Sequence, residues 1–203
     1  RFVSDASHEL KTPLAGIRLL TDSILQTDHM DEATTKEFVT DIGREAERLS
    51  RITENLLRLT RLDSGVVQQP YPVAVRPVLE RVERMLTMVA QEKGVTVSGA
   101  ADEDAVALAT DDDVHQILYN LMENAIKYSG KEVRIDLSCI QKGHTLTIQI
   151  TDNGIGIPPA EQSKVFDKFY RGSHIPDRNM PGIGLGLSYV KLLTEAHHGY
   201  VSL

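Results

Sequence analysis

A few short stretches of this sequence hold residue types and spacings that could do chemistry. Asn120, Asn124 and Lys127 are spaced four and three, so on a helix they share one face. Val114, Leu118, Leu121, Met122 and Ala125 fall on the other. Two amide oxygens beside an ammonium are hard, polar groups that suit Mg²⁺ together with phosphate, although an ordinary solvated helix face would read the same way. "DNGIGIP", Asp152 to Pro158, is either a plain turn or an acceptor-only carboxylate followed by Gly154 and Gly156, which permit close backbone approach. A carboxylate of that kind could take the exocyclic amino hydrogens of adenine. "GIGLGL", Gly182 to Leu187, opens a helical segment, and glycine amides at a helix start can cradle phosphate. It is no Walker loop, because Leu187 and Ser188 stand where Lys-Ser or Lys-Thr would be needed. It is no dinucleotide fingerprint, because Leu187 and Tyr189 stand where that motif needs glycine.

The fourth stretch is "SHELKTPL", Ser7 to Leu14, which sets His8 beside Glu9 and puts Pro13 inside a helical pattern. An exposed helical histidine next to a glutamate is commonplace, and the chain has seven histidines. His29 falls in a turn, His115 on the apolar side of its helix, and His197 and His198 at a helix end where they suit the dipole. None of these has a matching acid and proline, and no metal-ligand spacing such as HExxH occurs.

The elements that must position these groups fall into two sets. Leu10, Leu14, Ile17, Leu20 and Ile24 recur at helical spacing between Phe2 and about Gln26. "TDHMD" breaks the pattern, and Phe38, Ile42, Ala46, Leu49, Ile52, Leu56 and Leu59 continue it to about Leu62. Two long helices make a hairpin that cannot cover its own apolar stripe, so two copies are expected to pair as a four-helix bundle. "DSGVV", Asp63 to Val67, reads as a linker. Beyond it a helix is expected near Arg76–Lys93, with Val78, Val82, Met85, Leu86 and Val89 inward. Short strands are expected near Val95–Ser98 and Ala105–Ala109, and a helix over Asp112–Tyr128. A β-hairpin is expected around "QKG", and a last helix over Gly186–Ala196. Residues 160–180 are poor in large apolar groups apart from "VFDKFY" and are expected to form a mobile lid. This order of elements predicts an α/β two-layer sandwich after the hairpin.

Composition narrows the class. The chain has 203 residues, 41% hydrophobic and 25% charged, which is globular and long enough for one large or two small domains. A net charge of −7 argues against a general grip on nucleic acid. The single cysteine, Cys139, excludes an intrachain disulfide and suits a reducing compartment. No apolar run approaches the ~20 residues of a membrane span. The start at Arg1 and the strand-like "HGYVSL" at the end lead us to expect a fragment of a longer protein.

Taken in order, the stretches resemble the sensor histidine kinases of bacterial two-component systems. "SHELKTPL" is similar to the H box of that family, "NLMENAIKYS" to its N box, "DNGIGIP" to its G1 box, "VFDKFYR" to its F box and "GIGLGL" to its G2 box. The resemblance implies a dimerisation and histidine-phosphotransfer domain over 1–65 and a Bergerat-type ATP-binding domain over 66–203. It implies that His8 accepts a phosphoryl group from ATP, with Glu9 as neighbouring base, and that an aspartate of a response regulator receiver domain then takes it. Thr12 would orient water if the protein also dephosphorylates its partner. Asn120 and Asn124 would hold Mg²⁺, Lys127 would meet phosphate and Tyr128 the adenine. Asp152 would read the adenine amino group, with Gly154 and Gly156 beside it. Arg171 would reach the terminal phosphates, and Gly182, Gly184, Leu185 and Gly186 would form the phosphate-side loop. A homodimer is implied, and a cytoplasmic portion whose parent meets the membrane only through upstream segments.

With that assignment the first helix reads chemically. An imidazole titrating at about 6.5 has a nitrogen available at neutral pH, and Glu9 is the nearest group able to take the proton from the other. Pro13 removes a helix hydrogen bond at about 3 kcal/mol and is expected to bend the helix near His8. Two other readings compete: an ATPase akin to gyrase or the mismatch-repair proteins, and an idle dimeric scaffold. The H-box hairpin argues against the first. Intact Asn124, Asp152 and glycine motifs argue against the second.

Overall fold

The computed structural model describes residues 2–27, 29–63, 69–130, 133–172 and 184–203. Within its first two helices, the side chains at 2–6, 8–9, 51, 54–56 and 58–63 are not among those described. Contacts divide the chain into two units, Arg1–Val66 and Val67–Leu203.

The first unit is a pair of helices, α1 (Phe2–Gln26) and α2 (Glu32–Asp63), packed on one another. Asp31 starts α2: its carboxylate accepts the Thr34 amide at 2.9 Å and the Thr34 hydroxyl at 2.6 Å, which satisfies an otherwise orphaned helix-start donor. Those bonds hold the Asp31 carboxyl below its usual range. Pro13 lies inside α1 with its side chain buried, and the helix continues through it. Ile17, Leu20, Ile24, Phe38, Ile42 and Leu49 are half-buried, as the stripe predicts. Leu14 is not: it stands 59% exposed, alongside Leu19, Leu25, Val39 and Leu57, so the hairpin keeps apolar surface uncovered. Asp63 is the last residue of α2, and the rest of the expected joint, 64–67, lies outside the described residues.

The second unit is the α/β sandwich. β1 (Tyr71–Ala74) pairs antiparallel with β3 (Val106–Ala109). β2 (Thr96–Ala101) runs parallel to β4 (Arg134–Lys142), and β5 (Thr145–Asp152) runs antiparallel on the far side of β4. Three helices accompany this mixed sheet: α3 (Val75–Glu92), α4 (Asp111–Tyr128) and α6 (Gly186–Ala196), with a one-turn α5 (Pro159–Gln162). α4 lies between α3 and α6 and also packs on β4 and β5. Ile135, Leu137 and Cys139 alternate inward along β4 and meet Val78, Val82, Leu86, Leu118 and Met122 in one core.

Several expectations shift. Met85 and Val89 are 55% and 45% exposed rather than inward, because α3 buries the narrower face of Val75, Val78, Leu79, Val82 and Leu86. The expected hairpin forms, with its turn at Gly143–His144, so of "QKG" only the glycine turns: Gln141 and Lys142 still pair with Leu146 and Thr145. Gly143 sits at φ +56°, the left-handed conformation a two-residue hairpin loop needs at its first position. β1 is a strand that the sequence pattern does not signal, and residues 199–203 form no strand.

One edge of the larger sheet is closed by side chains. Thr96 and Asp102 of the β2 segment donate to Val133 and Cys139, so Gly99 and Ala101, in the opposite phase, direct their polar groups away from β4. Arg76 of α3 donates to the Ala101 carbonyl at 2.6 Å, and the Gly99 amide donates to Glu83, two turns on from Arg76. Burial raises the Glu83 carboxyl above its ordinary range, partly offset by that amide. A methyl group at Gly99 would fall on the Glu83 carboxylate, which accounts for a glycine inside this strand.

Candidate functional site: a nucleotide-sized cleft at the end of helix α4

The site is built on α4. Thr110 caps the helix by accepting the Asp113 amide at 3.1 Å, and three acidic residues, Asp111 to Asp113, complement the positive end of its dipole. The start of α4 is tied to its neighbours: Arg81 of α3 pairs with Asp111, and His197 Nε2 lies 2.9 Å from Asp113 Oδ2. His197 therefore does more than suit the dipole of α6; it joins the end of α6 to the start of α4. At the other end Ser129 Oγ donates to the Ile126 carbonyl at 2.7 Å, and Lys93 Nζ reaches the carbonyls of Ile126 and Lys127 at 3.3 and 2.9 Å.

Beyond that end opens a cleft of about 620 Å³. Of the residues singled out from the sequence, Asn124, Tyr128, Asp152, Gly156 and Arg171 line it. Its apolar walls come partly from within the motifs, and of the following residues only those of β5 lie outside all of them. Leu121 comes from α4, Ile148 and Ile150 from β5, Ile155 and Ile157 from the glycine loop, and Val165 and Phe166 from the segment after α5. Among those motifs the "VFDKFY" cluster stands out in the sequence as an apolar exception in a polar stretch. A concave site with apolar walls and a few polar groups suits a flat heteroaromatic ring with a charged tail.

Asn120, Lys127, Gly154, Gly184, Leu185 and Gly186 are not among the lining residues, but most border the cleft through its walls. A Cβ on Gly186 would stand 3.2 Å from Asn120 Oδ1 and 3.1 Å from Asn124 Nδ2, so both amides converge on a bare glycine at the start of α6. Asn120 Nδ2 donates to the Gln116 carbonyl at 2.7 Å, which fixes that side chain. Gly154 gives its amide to Asp152 Oδ1 at 2.9 Å, and a methyl there would lie 3.2 Å from the Tyr128 carbonyl. Its smallness thus serves packing of the loop on α4. Gly156, at φ +68° with open space around it, is needed for its backbone conformation. Gly184, at φ +67°, packs on the backbone of Phe169 and Tyr170, and its carbonyl accepts the Phe169 amide at 3.0 Å. Phe169 itself holds φ +64°, an unusual conformation for an aromatic residue. Leu185 is 2% exposed and belongs to the core, so a ligand could meet only its backbone. Gly182 lies outside the described residues, as do 173–180 of the expected lid.

Electrostatically the end of α4 is cationic. Burial, with help from the Arg171 charge and against that of Glu123, pushes the Lys127 ammonium down to about 8. That ammonium stands 4.8 Å from the centre of the Tyr128 ring. Burial also raises the Tyr128 hydroxyl and, together with Lys127, lowers Lys93. Partly buried lysines gathered with an arginine at one helix end make a place for a polyanion. For a divalent cation, Asn120 and Asn124 offer neutral amide oxygens, and the described residues hold no cluster of three or more His, Cys, Asp or Glu. This donor set fits Mg²⁺ that arrives with phosphate oxygens of its own.

His8 and Glu9 are α1 positions whose side chains lie outside those described. Thr12, one turn after His8, is exposed. Among the described residues no helix is long and apolar enough to cross a membrane.

Comparison with known proteins assigns both units. Residues 1–65 match the His Kinase A (phospho-acceptor) domain, and residues 109–203 match the histidine kinase-, DNA gyrase B- and HSP90-like ATPase. Over 206 residues the chain is 34% identical to the probable sensor histidine kinase TcrY of Mycobacterium tuberculosis, covering 100% of this chain and 42% of TcrY. It is 31% identical over 210 residues to the sensor protein kinase WalK of Staphylococcus haemolyticus, covering 98% of this chain and 33% of WalK. The chain therefore spans less than half the length of these curated relatives. Histidine kinase ThkA, solved in complex with response regulator protein TrrA, shares the fold at a TM-score of 0.73 and 18% identity, over 98% of this chain and 55% of that one. The chain belongs to the sensor histidine kinase family, as a phospho-acceptor helical hairpin followed by an ATPase unit of the gyrase and HSP90 kind.

Proposed function

We propose that this chain is the kinase portion of a two-component sensor: it binds ATP with Mg²⁺, phosphorylates its own His8, and passes the phosphoryl group to an aspartate of a response regulator receiver domain. The observation that carries the reading is the convergence of Asn124, Tyr128, Asp152, Gly156 and Arg171 on one cleft, in a chain whose other unit is a phospho-acceptor hairpin. On this reading residues 1–65 dimerise and carry the acceptor, and residues 66–203 hold the nucleotide. Exposed Leu14, Leu19, Leu25, Val39 and Leu57 support pairing of two hairpins.

In the reaction one His8 nitrogen attacks the γ-phosphorus in line. A P–N bond forms as the bond to the bridging oxygen breaks, and ADP leaves. Glu9 takes the proton that the second ring nitrogen releases. The adenine lies between the apolar walls with its amino group on Asp152, and the phosphates extend toward Lys127 and Arg171. Asn120 and Asn124 would hold Mg²⁺, whose charge would offset that of the phosphates. Gly184 and Gly186, with Gly182, frame the phosphate side. Thr12 orients the water that hydrolyses the aspartyl phosphate of the receiver domain when the protein acts as a phosphatase of that partner. Membrane attachment, where the parent protein has it, belongs to segments beyond this chain. An ATPase without phosphotransfer is the competing reading, and the phospho-acceptor match speaks against it.

Incubation with γ-labelled ATP and Mg²⁺ tests the proposal. The protein is expected to take up acid-labile, base-stable label that a receiver domain can remove, and His8→Gln is expected to take up none. ATP hydrolysis with no label on the protein would overturn it.

A further inference from the structure

We propose that Lys93, a residue of neither the acceptor nor the cleft, is a positioning residue for nucleotide binding; this rests on the kinase reading above. Lys93 is the C-cap of α3, and its main-chain amide closes that helix on the Ala90 and Gln91 carbonyls. Its side chain leaves α3 and crosses to the last turn of α4. There Nζ donates to the Lys127 carbonyl at 2.9 Å and the Ile126 carbonyl at 3.3 Å.

Carbonyls at a helix C-terminus have no intrahelical donor, and an ammonium placed on them also meets the negative end of the dipole. Ser129 supplies a second donor to the Ile126 carbonyl at 2.7 Å, so this turn is held from two directions. What the turn holds in place is the site. Lys127 and Tyr128 are its next residues. The Tyr128 carbonyl and the Ser129 Cα would lie 3.2 and 3.4 Å from a Cβ on Gly154, whose amide in turn binds Asp152 Oδ1 at 2.9 Å. Gly154 therefore lies close against the end of α4, and through it the turn that Lys93 holds is linked to the carboxylate in the cleft. Releasing the turn lets Tyr128 and Asp152 drift apart, which weakens nucleotide binding. It leaves the geometry of transfer at the γ-phosphate to other residues.

The test uses the full chain and three variants: Lys93→Met, Lys93→Gln and Lys93→Arg. Each is titrated with a fluorescent ATP analogue in the presence of Mg²⁺, and the maximal rate of γ-label uptake is measured at saturating ATP. Loss of a charged hydrogen bond that organises the site is expected to weaken nucleotide affinity about five- to twentyfold in Lys93→Met. The maximal rate should remain within about twofold, since the affected contacts are equal in ground and transition states. Lys93→Arg is expected to restore most of the affinity, because its longer fork can still donate to the same carbonyls. Lys93→Gln keeps a donor without a charge and serves if the methionine variant fails to fold; its affinity is expected to fall between the others. Wild-type affinity in Lys93→Met or Lys93→Gln overturns the proposal. So does a lower melting temperature with unchanged affinity, which marks a purely structural role. If the wild-type chain itself binds no nucleotide, the kinase reading fails and this proposal falls with it.

Discussion

At the scale of single residues, a few side chains have chemistry that their neighbours have changed. Lys127 is the clearest. Its ammonium is pushed down to about 8 by burial first and by Arg171 second, from an ordinary value of 10.5. Polyphosphate binds the charged form, so nucleotide affinity is expected to be flat below pH 8 and to fall above it, by at most about tenfold per pH unit for one proton. The stability of the nucleotide-free protein moves the other way. Between about 8 and 10.5 the unfolded chain holds a proton on this lysine that the folded chain has lost, so stability contributed by this group rises across that interval. Titrating the affinity from pH 7 to 9.5 in wild type and Lys127→Met checks this: the alkaline fall should be absent from the variant, and an identical profile in both would contradict it. The polar residues of the site are readable in sequence because they sit in short motifs. Asn120 and Asn124 share one face of a helix, and Gly154 and Gly156 follow a strand. The β5 walls are not readable, since Ile148 and Ile150 look like any other strand residue until the fold brings them to the opening. Lys93 is invisible for a related reason: it acts on carbonyls more than thirty positions away, and a surface lysine carries no mark of its target.

At the scale of elements, helix periodicity and cap chemistry set what can be foreseen. α6 has the span that its glycine start and apolar spacing suggest, and α4 starts one residue earlier than expected, behind its Thr110 cap. Strands are harder. β1 contains Pro72, which cannot donate to a ladder, and its four residues pair only with β3. The buried stripe on α3 is narrower than its apolar spacing suggests, because Met85 and Val89 are apolar yet face solvent. The closed edge of β2 belongs to this scale. Arg76 and Glu83 occupy backbone groups that would otherwise offer pairing to another strand, and Gly99 leaves room for the carboxylate. Gly99→Ala is expected to displace Glu83 and destabilise the ATP-binding unit by about 1–3 kcal/mol, the usual range for overpacking. Denaturant unfolding measures this. An unchanged midpoint would show that the carboxylate does not need its place over the strand.

At the scale of the whole molecule, the proposed reaction is divided between a hairpin expected to offer the nucleophile and an α/β unit expected to hold the nucleotide. On that proposal neither unit completes the reaction alone, and turnover requires them to meet. The order of five motifs along the chain makes this division legible from the amino-acid sequence. What sequence order cannot supply is the cleft itself, whose groups come from α4, β5, the glycine loop and the segment after α5. His8 as phosphoryl acceptor and the Asp152 cleft as donor site are tested together by scoring nucleotide binding and label uptake in two full-chain variants. Asp152→Asn is expected to lose both. His8→Gln is expected to bind nucleotide as wild type does and to take up no label. Label persisting in His8→Gln, or nucleotide binding undiminished in Asp152→Asn, would contradict this division of roles.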